Sequence, residues 1–259
     1  MSLTKKNKII FITGATSGFG KAIAYKFAER GFHLILNGRR EDRLRVIEKD
    51  LTEQFGCKVI SLPFDVKDKE AVVNSINSIP HDWKKIDVLV NNAGLAAGLS
   101  TIQEGNTDDW ELMIDTNVKG LLFVSRQIMP LMIAENSGHI INISSIAGKE
   151  VYANGNVYCA TKFAVDAITK SMRIDLLKHK IKVTSIDPGA AETEFSLVRF
   201  SGDAERAKKF YEGYTPLTAE DIADIVFFAA TRPPHVVLND IVVTCLDQAN
   251  TMYWDKRSN

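Results

Sequence analysis

Short apolar runs rich in β-branched residues alternate along this chain with longer segments of helical period, and this alternation limits the possible folds more than any other feature. Residues 8–13, 33–37, 58–62, 86–90, 139–143 and 181–186 read as strands, with a seventh at 240–246. Most are nearly continuous in apolar residues, as strands covered on both faces should be. Between them, residues 20–30, 41–55, 69–79, 108–135, 157–179 and 219–230 carry helical patterns. The expectation is an α/β fold: a doubly wound, seven-stranded parallel sheet with helices on both faces and right-handed crossovers. A length of 259 residues suits one such domain over 1–259, and no linker, repeat or low-complexity tract divides it. Only residues 195–214 break the alternation.

Charge excludes several partner classes. Lys+Arg and Asp+Glu are both 32, so no net field favours nucleic acid or a membrane surface. The three cysteines are far apart and the five histidines scattered, so neither a disulfide framework nor a metal site is expected. The polar, basic opening at 1–8 gives way to an apolar run broken early by Gly14, too short for a signal core or a membrane span. The expectation is a soluble, cytoplasmic protein acting on a small molecule.

The first strand ends in Thr13-Gly14-Ala15-Thr16-Ser17-Gly18-Phe19-Gly20, and a helix follows. Glycines at 14, 18 and 20 allow a tight turn and close backbone approach to a pyrophosphate, and the helix N-terminus adds free N–H groups and a favourable dipole. Strand two ends in Asn37-Gly38-Arg39-Arg40, with no acid before Glu41. A carboxylate there would bind ribose hydroxyls. Paired guanidinium groups at Arg39 and Arg40 suit a 2′-phosphate instead, which favours NADP(H) over NAD(H). Tyr158 and Lys162 stand at i and i+4 of a helical pattern, so the ammonium is expected near the phenol, lowering its pKa for proton transfer. Taken alone, that pair also reads as chance residues on an amphipathic helix.

These strings, in this order, resemble the short-chain dehydrogenase/reductase family: T-G-x-x-x-G-x-G at 13–20, N-N-A-G at 91–94, Asn117, Ser145 before Ile-Ala-Gly148, Y-x-x-x-K at 158–162, and Pro188-Gly189 followed by Thr193. The resemblance implies hydride transfer between NADP(H) and an alcohol or carbonyl. It assigns the adenine to the Asp65 side chain and the Val66 backbone, and the cofactor ribose to Asn92, with Gly94 beside it. Pro188, Gly189 and Thr193 would bracket the nicotinamide carboxamide. Tyr158 would exchange the proton, Ser145 would bind the substrate oxygen, Lys162 would tune Tyr158 and hold the ribose, and Asn117 would anchor a relay water to Lys162. The family also implies a homotetramer, or a dimer, joined through residues 108–135 and 157–179, which carry more apolar positions than one sheet face needs.

Longer strings at 38–44, 91–98, 108–117 and 155–158 are similar to the NADP-dependent 3-hydroxy acid dehydrogenases, which implies serine, allo-threonine and related substrates. Residues 193–215 fall where the family carries a substrate lid. This segment interleaves aromatics with cations, and Arg199 is a candidate for a substrate carboxylate; its other reading is a solvated surface charge. Two alternatives stand beside this reading. One is another NADPH-dependent carbonyl reductase, of the 3-oxoacyl or general alcohol type. The other is an NADPH-binding regulatory module, against which the intact Tyr158 and Lys162 speak.

Overall fold

A computed structural model describes residues 8–200 and 202–257, so the basic opening at 1–7 lies outside the described residues, as does Ser201. The strands β1 (Ile9–Ile12), β2 (His33–Gly38), β3 (Val59–Pro63), β4 (Ile86–Asn91), β5 (Gly138–Ile143), β6 (Ile181–Pro188) and β7 (Asp240–Val243) form one sheet. All pairs are parallel, in the order β3-β2-β1-β4-β5-β6-β7. Each expected strand is present. The last ends at Val243 rather than 246, because Leu246 is fully exposed and packs on nothing.

The helices are α1 (Gly18–Glu29), α2 (Glu41–Phe55), α3 (Lys69–Asn77), α4 (Thr107–Ile114), α5 (Leu121–Ala134), α6 (Asn156–Asp175), α7 (Glu194–Arg199), α8 (Ala204–Phe210) and α9 (Ala219–Ala230). One expectation needs correction. The pattern at 108–135 is not one regular helix: a π-helical turn, Asp115–Gly120, separates α4 from α5. Asn117, a poor interior residue for an α-helix, sits inside that turn. The irregular segment after β6 forms α7 and α8, each too short to show a clear apolar period.

Period-two alternation divides the core. Ile10 and Ile12 join Leu34, Leu36, Val88 and Val90 on the face covered by α1, α2 and α9. Ile9 and Phe11 join Ile35, Leu89 and Ile140 on the face covered by α3, α5 and α6. On the first face Phe27 lies edge-on between Phe32 and Phe227, at centroid distances of 4.9 and 5.3 Å.

A buried polar chain crosses the second face. Asn91 Nδ2 donates to Ser125 Oγ at 2.9 Å and to Asn142 Oδ1 at 2.8 Å. Asn142 Nδ2 donates to Thr169 Oγ1 at 2.8 Å, whose hydroxyl donates to the Val165 carbonyl at 2.7 Å. β4, β5, α5 and α6 are thereby fixed relative to one another, and the carboxyl ends of β4 and β5 face the cleft. Asn142→Ala strands an Asn91 donor and leaves a polar cavity, at a cost of about 1–3 kcal/mol. Urea denaturation should show the loss; unchanged stability would contradict this role.

Candidate active site

A cleft of about 560 Å³ opens at the carboxyl ends of the strands. Its floor is the β1–α1 turn, where Gly14 and Gly18 take positive φ of 66° and 49°. A Cβ on Gly20 would run into the Gly14 carbonyl and the Asn92 amide. Ser17 stands at the N-cap of α1 without capping it, and the first turn holds no acid. The N–H groups and the positive end of the helix dipole therefore remain available to an anion. Thr16 and Phe19 line the same floor. Thr193, across the cleft, comes within 3.4 Å of where a Gly18 Cβ would stand.

The two arginines do not behave as a symmetric pair. Arg40 turns inward, donating through Nε and Nη2 to Thr16 Oγ1 at 3.2 and 2.9 Å, and through Nη2 to Ser17 Oγ at 2.9 Å. Arg39 is largely exposed and lies 3.9 Å from Asp65. Asp65 also accepts from the Lys67 N–H at 3.0 Å, and Val66 is buried beside it. Arg43, one turn beyond Arg40, donates to Glu194 at 2.9 and 3.1 Å. Neither Arg43 nor Glu194 was among the expected site residues. The available signal was the spacing of three between Arg40 and Arg43, which shares a helix face.

The expected catalytic side chains converge. Tyr158 and Lys162 are both buried on α6, with Nζ 5.8 Å from the phenol ring centroid. Lys162 donates to the Ile143 carbonyl at 3.1 Å and adjoins Gly94. Ser145 donates to the Pro188 carbonyl at 3.3 Å and hydrogen-bonds the Tyr158 phenol. Ser144 is buried against the Lys162 carbonyl. Gly189 lies against Gln248, a buried residue that the sequence reading missed.

One electronic expectation is corrected. Burial, with Tyr152 adding to it, pushes the Tyr158 phenol well above its ordinary range, although Arg199 and the Ser145 hydrogen bond oppose this. The phenol pKa is raised rather than lowered, because burial outweighs the groups that favour the phenolate; Lys162 is itself brought down to about 8 by burial, which Asp187 resists. The Asn117 side chain is bound to the loop after β4 and to α6. Its Nδ2 donates to the Leu95 carbonyl at 2.8 Å and to Thr161 at 3.0 Å, while Oδ1 accepts from the Leu95 N–H at 2.9 Å. Asn117 clamps the loop after β4.

Arg199 is not a solvated surface charge. Its guanidinium lies 5.4, 5.2 and 5.9 Å from the ring centroids of Tyr152, Tyr158 and Phe195, and it hydrogen-bonds the Tyr152 hydroxyl. Its Nε is buried without a partner. Tyr152 and Phe195 belong to this box and were not anticipated as site residues. Among the described residues no cluster of His, Cys, Asp or Glu could hold a metal.

Comparison with known proteins agrees with this geometry. The family model for short chain dehydrogenases matches residues 8–202. The NADP-dependent 3-hydroxy acid dehydrogenase YdfG of Salmonella typhi is 46% identical over 242 residues, covering 93% of this chain and 96% of the relative. A probable NADP-dependent dehydrogenase of Haemophilus influenzae is 46% identical over 239 residues, covering 92% and 93%. The closed form of a serine dehydrogenase complexed with NADP+ superposes with a TM-score of 0.90 at 41% identity, covering 96% of this chain and all of the other.

The buried lysine sets a pH dependence of stability. In the fold Lys162 titrates at about 8, against 10.5 ordinarily. Below about pH 8 it is charged in both the folded and unfolded chain, and the burial penalty is felt in full. As pH rises toward 10.5 the folded protein releases the proton first, and the penalty disappears. Lys162→Met should therefore be more stable than the parent at pH 7, by up to about 3 kcal/mol, with the gap closing toward pH 10. Denaturation across that range checks it; a parent that is the more stable at pH 7 would oppose this account.

Proposed function

The chain belongs to the short-chain dehydrogenase family, and from that premise we propose how its residues act on a small 3-hydroxy acid of the serine or allo-threonine kind. It is an NADP-dependent oxidoreductase acting on a hydroxyl group. The observation that carries the substrate reading is Arg199: a guanidinium boxed by aromatic rings beside Tyr158, with a buried, unpartnered Nε. A carboxylate one carbon removed from the reacting carbon, as in a 3-hydroxy acid, would satisfy it with charge-assisted hydrogen bonds.

The cleft suits NADP(H) by its glycine turn, its uncapped helix and its arginines. When bound, the nicotinamide gives or takes the hydride. Gly14, Thr16, Ser17, Gly18, Phe19 and Gly20 hold the pyrophosphate, Arg39 and Arg40 the 2′-phosphate, and Asp65 and Val66 the adenine. Asn92, Gly94 and Lys162 support the ribose, and Pro188, Gly189 and Thr193 the nicotinamide end. Ser145 binds the substrate oxygen beside Tyr158. A phenol kept protonated by burial gives its proton to a carbonyl oxygen in reduction; in oxidation Tyr158 first releases that proton to solvent, and the phenolate then takes the hydroxyl proton. Asn117 keeps the loop before it in register, and residues 193–215 cover the substrate.

We take the chain as one domain and a homotetramer, with a dimer as the alternative. Ile114 and Leu122 beside the π-turn, and Phe163 and Ile174 on α6, are large apolar residues left exposed. Light scattering that returned 28.8 kDa would reject self-association. No helix among the described residues is long and apolar enough to cross a membrane. Three free, buried cysteines support the cytoplasm as its location.

A panel of 3-hydroxy acids, matched alcohols without the carboxylate, and ketones, followed by NADPH absorbance, tests the reading. Arg199→Met should raise KM for the acids roughly 10- to 100-fold and leave the uncharged alcohols nearly unaffected. Tyr158→Phe should lower kcat about 10²- to 10⁴-fold while NADPH binding, read by fluorescence, persists. Equal losses on charged and uncharged substrates would remove Arg199 from the substrate site.

A further inference from the structure

Helix α7 is only six residues long, yet its ends engage opposite parts of the cleft. At its start the Glu194 carboxylate accepts from Arg40 Nη1 at 3.1 Å and from Arg43 Nη1 at 2.9 and 3.1 Å. The same Arg40 holds the Thr16 and Ser17 hydroxyls of the phosphate turn. At the other end Phe195 meets the Tyr158 ring edge-on at 5.7 Å, and Arg199 stands over that ring at 5.2 Å. One short helix therefore joins the arginine cluster to the proton donor.

Glu194 is anionic at neutral pH. Partial burial pushes its carboxyl up, but hydrogen bonds from Arg43 and Arg40 outweigh this and hold it below the usual range. Among the described residues Arg43 pairs with Glu194 alone. A carboxylate on Arg40 opposes any second anion there, since like charges repel. A site built only for phosphate affinity would have no acid in this position. An acid is useful there if the helix that carries it has to be held.

We propose that Glu194 is a positioning residue that latches α7 to Arg40 and Arg43, holding Phe195 and Arg199 over the substrate at the expense of 2′-phosphate affinity. The proposal rests on the NADP(H) reading above. Glu194, Arg40 and Arg43 are each about two-fifths exposed, with side-chain values of 44%, 40% and 43%. The effect of removing the charge is accordingly modest, about two- to fivefold, and screened by salt.

The test uses the full chain and Glu194→Gln, which removes the charge and keeps the shape. Calorimetric titration with adenosine 2′-monophosphate should show binding about two- to fivefold tighter in the variant, with the gain fading at high salt. Adenosine 5′-monophosphate, the control, should bind both proteins alike. At saturating NADP+ the KM for a 3-hydroxy acid should rise by about the same factor with kcat nearly constant, a split that general loosening of the fold would not produce. Arg43→Gln should reproduce the KM rise, the double variant should add little to it, and Glu194→Asp should restore part of the parent value. Unchanged constants in Glu194→Gln would reduce the contact to an ordinary surface ion pair and overturn the proposal. Weaker binding of adenosine 2′-monophosphate would overturn it too, since Glu194 would then organise the phosphate site. If the parent failed to distinguish the two monophosphates, the fault would lie in the NADP(H) reading.

Discussion

Four hydrogen bonds between two loops make the cleft possible. Asn92 Nδ2 donates to the carbonyls of Thr13 and Gly14 at 2.9 and 3.1 Å, and the N–H groups of Asn92 and Ala93 donate to Thr13 Oγ1 at 2.9 and 3.0 Å. The strand order reverses at this point: β2 and β3 lie beyond β1, while β5, β6 and β7 lie beyond β4. The loops leaving β1 and β4 therefore diverge, and a crevice opens between them. Their backbone groups, turned away from the sheet ladders, would be unpaired at its mouth without this staple. The same staple explains the glycine pattern. Gly20 has no room for a Cβ because the Gly14 carbonyl and the Asn92 amide already occupy the space. Its glycine is required by loop-to-loop packing before any ligand is considered.

On this floor the site buries two ionisable groups and moves each toward its neutral form. Tyr158 is pushed up and Lys162 down, and burial is the larger cause for both. A buried lysine is tolerable only with an opposing charge nearby. Asp187, fully buried at the end of β6, has that effect on Lys162. Asp187 is held in turn by Ser185 at 2.7 Å and by Lys149 at 3.5 Å, and Lys149 also meets Asp166 at 2.5 Å and Asp240 at 3.4 Å. The charges behind the reacting groups thus form a chain reaching from α6 to β7. The lysine and tyrosine of Y-x-x-x-K were legible; this counter-charge was not, because its members lie up to 91 positions apart.

What could be read from the sequence divides along the same physical line. The central strands, covered on both faces, are apolar almost throughout, and the half-exposed edge strand β7 keeps the β-branched run Ile241-Val242-Val243, so all seven could be placed; the glycine turn and Tyr158–Lys162 are local patterns. The break at Asp115–Gly120 was hidden, because a π-turn keeps the apolar residues flowing while changing the hydrogen bonding. The direction of the Tyr158 shift was misread for a related reason. Spacing shows that a cation is near, but not that burial of the phenol outweighs it. Tyr152, Phe195, Arg43 and Glu194 were missed because their partners lie 37 to 154 positions away.

The weakest pattern in the sequence coincides with the part of the site whose contacts are least like a core. The floor of the cleft is made of buried backbone bonds and of Asn117, Asn91 and Asn142, whose loss would strand polar groups out of water. The wall formed by α7 is held by half-exposed ion pairs, by aromatic edges, by side-chain hydrogen bonds of Ser196 to Tyr211 and Arg199 to Tyr152, and by a backbone bond from the Gly98 N–H to the Arg199 carbonyl at 3.3 Å. Contacts of that kind contribute roughly 1 kcal/mol or less each. Such a wall opens at lower cost than the floor. Short helices loosely tied to a rigid base show no long apolar period, because they have no large apolar face to bury. The irregularity of residues 195–214 in the sequence is thus the direct signature of a segment that the sheet does not hold, and Arg199, proposed above for the substrate carboxylate, is carried there.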